Sequence, residues 1–120
     1  MSSVRSILFL ADIHLQHRPP IAREGEKSWY KAMARVLDRV KEIWEENNCC
    51  PIVCAGDIFD HWYSPPELIN FALSELPPMY TIPGQHDLPL HSHEDIRRSA
   101  YWTLVEAGKI HHMKEPTEIG

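Results

Sequence analysis

Three short stretches of this sequence carry residues able to hold a cation and move a proton. They are Asp12-Ile13-His14, Gly56-Asp57-Ile58-Phe59-Asp60 and Gly84-Gln85-His86-Asp87. Each directly follows an apolar run of strand character. In a parallel sheet such corners lie side by side at the carboxyl edge of the strands, where open α/β proteins bind their ligands. Asp12 and His14 are two residues apart, so in an extended segment both point the same way and reach one ion. Asp57 arrives from the next strand end, and Gln85 and His86 from the one after. Mixed carboxylate and imidazole donors suit zinc, manganese or iron better than calcium.

The elements needed to place these corners are legible as an alternation. Val4 to Ala11, Pro51 to Ala55, Met79 to Pro83 and Lys109 to Met113 read as four short strands. Strand one is nearly continuous in apolar character from Ile7, as in strands covered on both faces. Residues 15–25, with Pro19-Pro20 and Gly25, read as a loop. Between Lys27 and about Asn47, Trp29, Met33, Val36, Leu37, Val40, Ile43 and Trp44 form a helical stripe. A second helix starts at Ser64-Pro65-Pro66-Glu67, with a serine cap expected and Leu68, Ile69, Ala72, Leu73 and Leu76 on its buried face. A third is expected over residues 94–107, stopped by Gly108. Strand–helix alternation of this kind predicts a parallel sheet with right-handed crossovers.

The 120 residues fit a single domain, and 43% hydrophobic with 24% charged residues is an ordinary globular composition. Twelve Lys+Arg against 17 Asp+Glu leave a formal charge of −5, which argues against a dedicated basic nucleic-acid module. His17 to Lys41 nevertheless holds seven Lys/Arg against three Asp/Glu. Arg18 and Arg23 in its loop are the stronger candidates to meet a polyanion; in the helical part, ion pairs on a solvated face explain the charges at least as well. Cys49, Cys50 and Cys54 are odd in number and clustered. That is no secreted disulfide framework and not the paired spacing of structural zinc, and it favours a reducing, cytoplasmic setting. The apolar run that ends at Ala11 is too short for a membrane span, so no membrane partner is expected.

Asp-x-His, Gly-Asp-x-x-Asp and Gly-(Asn)-His-Asp, in this order and spacing, resemble the first three motifs of the calcineurin-like metallophosphoesterases. The resemblance runs from Ile7 to about Asp87. The stretches Ala11–Leu15, Ala55–Asp60 and Ile82–Asp87 look closest to the SbcD-like DNA-repair exonuclease branch. The resemblance implies that Asp12 and His14 hold a first metal and that Asp57 bridges to a second. Gln85 would bind the second metal where the family has Asn, one methylene longer and so in a shifted or looser site. By the same resemblance, His86 assists at the phosphate or leaving group, Asp87 orients His86 through its other ring nitrogen, and Asp60 lies behind the ligands or forms the turn. Implied cofactors are up to two divalent cations, manganese first, with zinc, iron(II) and magnesium as alternatives.

The implied reaction is phosphodiester hydrolysis by metal-activated water, nuclease-like on DNA. A small-substrate phosphatase or phosphodiesterase, and a non-catalytic fragment acting through assembly, are the alternatives. The family completes its site with three further histidines from two later motifs, absent here. His61, His91, His93, His111 and His112 are the substitutes to consider, with His91 and His93 nearest the third motif. The family fold is an αββα sandwich, of which this chain supplies about the first half. A single domain over 1–120, truncated on its carboxyl side, is therefore expected. It would expose a sheet face and pair with another copy or a complementing carboxyl-terminal half.

Overall fold

The computed structural model describes residues 6–20, 25, 28–114 and 119. Four strands, β1 (Leu8–Leu10), β2 (Ile52–Cys54), β3 (Met79–Thr81) and β4 (Ile110–His112), form one parallel sheet in the order β1-β2-β3-β4. The connections carry α1 (Trp29–Glu46), α2 (Pro66–Glu75) and α3 (Ala100–Glu106). This is the mixed α/β architecture with a parallel sheet and flanking helices that the alternation predicts. The strands are shorter than expected, and the start of the first expected strand lies outside the described residues.

Helix α1 forms because Met33 and Leu37, a turn apart, bury on one face while Ser28 caps its start, accepting from the Lys31 N–H at 3.4 Å. It ends where the Asn47 amide donates to the Ile43 carbonyl and Asn48 and Cys49 turn to φ 58° and 52°. Its first residue ties the helix to the first candidate ligand segment, since the Trp29 indole donates to the Gln16 carbonyl at 2.8 Å. Helix α2 opens on prolines, as predicted, but Ser64 is not its cap. Pro65 occupies that position, and the Ser64 hydroxyl donates instead to the His61 carbonyl. The expected third helix is broken. Residues His93–Arg98 wind as a 3₁₀ helix capped by Ser92, and Ser99 then caps α3 by accepting from the Trp102 N–H at 3.0 Å. Two serines seven residues apart each offer the backbone a local partner, so the chain starts two helices instead of one.

All three helices pack on the same face of the sheet. Ile52, Cys54, Met79 and Ile110 meet Met33, Leu37, Leu68, Ala72, Tyr101 and Leu104 there in one core. Parallel strands added in consecutive order by crossovers of one hand require this arrangement. The alternate residues Phe9, Val53, Tyr80 and His111 stand in register across the other face. Nothing among the described residues covers Phe9, which is 71% exposed. The expectation that strand one is covered on both faces is therefore corrected.

Candidate metal centre

The first two corners are stitched to each other before they hold anything else. Beyond Leu10 and Cys54 the Asp12 N–H donates to the Gly56 carbonyl, the His14 N–H to the Asp57 carbonyl at 2.9 Å and the Leu15 N–H to the Ile58 carbonyl at 2.7 Å. Parallel pairing then resumes between Leu15 and Phe59. Between these points the backbone is left-handed at Asp12 (φ 54°), His14 (φ 49°) and Asp57 (φ 53°). Such conformations cost on the order of 1–3 kcal/mol each outside glycine and cluster at functional sites. Asp12 and His14 thus do converge, but not by extended alternation as expected. Two left-handed kinks turn their side chains together.

The third corner leans onto Asp57, and two glycines allow it. A Cβ on Gly56 (φ 112°) would lie 2.7 Å from the Gly84 nitrogen, and one on Gly84 would collide with the Asp57 carboxylate. With no side chain at Gly84, the His86 N–H reaches Asp57 Oδ1 at 3.0 Å. Asp87 is fully buried, and its two oxygens accept from the backbone N–H groups of Gly84 (2.9 Å) and Phe59 (3.2 Å). Burial holds its carboxyl above the usual range, and those N–H donors offset only part of that rise. The expected Asp87–His86 pair is accordingly not formed: a buried carboxylate needs N–H donors, and the backbone supplies them first. Asp87 acts as a clamp between the second and third corners.

Asp12, His14 and Asp57 each offer a ligand atom, and these atoms lie within 4.8 Å of one another. His14 Nε2 is 3.7 Å from Asp12 Oδ1, and His14 Nδ1 is 3.4 Å from Asp60 Oδ1. Asp60 therefore stands behind the ring, where an outer carboxylate orients a metal-binding imidazole. His86 Nδ1 lies 3.3 Å from Asp57 Oδ2, and the His14 and His86 rings are 5.5 Å apart at 72°. Both Nδ1 atoms are buried and make no hydrogen bond, each lying instead beside a carboxylate oxygen, at 3.4 Å for His14 and 3.3 Å for His86. The other nitrogen of His14, Nε2, faces Asp12, and the imidazole and two carboxylates of His14, Asp12 and Asp57 are a donor set that fits a divalent cation.

The remaining candidates fall around this core. Gln85 is exposed; its side-chain amide has no partner among the described residues, and its carbonyl lies 3.1 Å from His91 Nδ1. Gln85, His86 and His91 line a cleft of about 490 Å³ with Trp62, Leu88 and Leu90. Arg18 is exposed, and Arg23 lies outside the described residues. His93 faces a different cavity, and His111 packs against Tyr80 on the open sheet face. Sequence reasoning counted Gly56 and Gly84 as members of the motif stretches and gave neither a packing role. The signal was present: each immediately precedes or nearly precedes a ligand residue, where a close backbone approach demands no side chain. Trp62, two residues past Asp60, carried no such mark.

A parallel sheet whose strand ends bring two carboxylates and an imidazole to one point is an α/β architecture with a candidate metal site at its carboxyl edge. The sequence matches the calcineurin-like phosphoesterases over residues 5–116, and the chain belongs to that family. Among curated proteins, none matches it. Family and site together support metal-dependent phosphoester hydrolysis.

Proposed function

We propose that the chain hydrolyses phosphodiesters, nuclease-like on DNA, in the manner of the SbcD-like branch that its motifs resemble. One observation carries the reading. Asp57, a member of the ligand set, also binds the His86 N–H and faces the His86 ring at 3.3 Å. A proton-transfer group thereby sits at the edge of the cation site. Asp12, His14 and Asp57 would hold the cation, manganese first, and Asp60 would keep the His14 ring in place. When bound, such a cation supplies a Lewis acid that neutralises phosphoryl charge and lowers the pKa of water. His86, 41% exposed, presents its imidazole where it can hand a proton to a departing oxygen. The cleft beside it has room for an organic leaving group, and Asp12, 68% exposed, leaves the other side open for a second substituent. Two organic substituents distinguish a diester from a monoester.

The test is turnover with manganese of bis(p-nitrophenyl) phosphate, p-nitrophenyl phosphate, and single- and double-stranded DNA. Hydrolysis of the diester and of DNA is expected. Turnover of the monoester alone would make the protein a small-substrate phosphatase, and a folded protein inert with every divalent metal would make it a non-catalytic assembly component. The odd, clustered Cys49, Cys50 and Cys54 of the sequence are the reason to place the chain in a reducing, cytoplasmic setting. No helix of the described residues is long and apolar enough to cross a membrane.

The uncovered sheet face belongs to the same proposal. Phe9 is exposed on it beside Val53 and Tyr80, an apolar surface of the kind that marks association. A second copy of the chain covers it in solution. Phe9→Ser is expected to shift sedimentation toward monomer, and a wild-type chain that stays monomeric at high concentration would contradict this.

A further inference from the structure

We propose that a cationic pocket beside the metal centre holds a non-scissile phosphate of a nucleic-acid strand, so that the strand is gripped at two points. The inference rests on the phosphodiesterase reading and names what part of the substrate lies beyond the scissile bond. The pocket, about 600 Å³, opens at the carboxyl ends of β3 and β4. Arg97, Lys114, His93 and His112 line it, and among the described residues no carboxylate does. Neither Arg97 nor Lys114 has an ion-pair partner among the described residues, although the neighbouring Arg98 is paired with Asp95.

The pocket is built and not merely a patch of mobile cations. Trp102 forms its wall: its indole donates to Glu106 at 2.9 Å, the Arg97 guanidinium lies 5.9 Å from the ring centre, and His112 packs edge-on at 5.4 Å. His112 Nδ1 is 2.8 Å from the hydroxyl of the fully buried Tyr101, which fixes the ring and leaves Nε2 as its free nitrogen. The His112 imidazole is held below its usual range by burial first, then by Lys114, His93 and His111. Arg97 and Lys114 are the two fixed positive charges in the lining, and an anion seated between them gains attraction from both. Arg97 offers the planar donor fork that phosphate oxygens match, with Lys114 as a point charge beside it.

Position chooses the ligand. Ile82 and Pro83 line this pocket, and the next residue, Gly84, packs directly against the Asp57 carboxylate. The two sites are therefore neighbours along one sheet edge. A molecule with phosphates in series spans both, and a lone phosphomonoester does not. The chain carries −5 overall, so an unpaired basic pocket is where a polyanion gains local attraction.

The test is binding of a fluorescein-labelled single-stranded dT oligonucleotide in EDTA, as a function of salt, so that neither metal nor turnover enters. Arg97→Gln/Lys114→Gln, two exposed positions, is expected to weaken binding by about tenfold or more. It should also reduce the salt slope by about 1.4, two contacts at about 0.7 each. Arg39→Gln, a cation away from the pocket that is paired with Glu42, should change neither. Binding and slope equal to wild type in the double variant would overturn the proposal. So would an oligonucleotide that fails to bind while inorganic tripolyphosphate binds in an Arg97- and Lys114-dependent way, since the ligand would then be free polyphosphate. Pocket-dependent DNA binding by a protein that turns over no diester would sink only the hydrolytic reading.

Discussion

Asp57→Ala removes turnover of bis(p-nitrophenyl) phosphate by about 10³-fold or more while the protein stays folded. The Asp57 side chain is only 15% exposed, and it joins the cation set, accepts the His86 N–H at 3.0 Å and faces the His86 ring. On the proposed reading, its loss is expected to remove a ligand and to release His86 together. Charge stabilisation by a bound metal is worth several kcal/mol, and about 4 kcal/mol corresponds to about 10³ in rate. Folding should survive because the side chain's one hydrogen bond among the described residues goes to the His86 N–H in a 3₁₀ turn, while the stitching to the first corner uses the Asp57 backbone. Retention of more than a tenth of the wild-type rate would place the chemistry elsewhere.

Gly84→Ala is the second large effect, and it reaches the centre without touching a ligand. The added methyl would collide with the Asp57 carboxylate and backbone nitrogen, neither of which can withdraw while Asp57 is pinned to His14 and His86. Forced overpacking of this kind costs about 3 kcal/mol. The third corner is expected to swing out, so that chemical denaturation shows the loss of stability and metal affinity falls with it. A Gly84→Ala protein as stable and as active as wild type would show that the third corner does not pack on Asp57 as described.

The corners were legible because the residues that bind cations are few and were placed identically after three strands. The sheet was legible from the short runs at Leu8–Leu10, Ile52–Cys54 and Met79–Thr81, and from the strand–helix alternation that placed a fourth strand at Ile110–His112. The backbone that aims Asp12 and His14 was not. Left-handed φ at Asp or His is selected by long-range hydrogen bonds such as His14 N–H to the Asp57 carbonyl, which no local pattern announces. Asp87 beside His86 in sequence suggested a pair. Full burial sent its oxygens to Gly84 and Phe59 instead, a choice that depends on what surrounds it. The anion pocket was invisible for the same reason: His93, Arg97, His112 and Lys114 are brought together only by the approach of the 3₁₀ segment to β4.

Asp12, His14 and Asp57 are the cluster of the described residues expected to hold a single cation. Calorimetric titration of the metal-free chain with manganese tests this most directly. One tight site is expected, lost in Asp57→Ala. Two equally tight sites, or a single site indifferent to Asp57, would contradict the account.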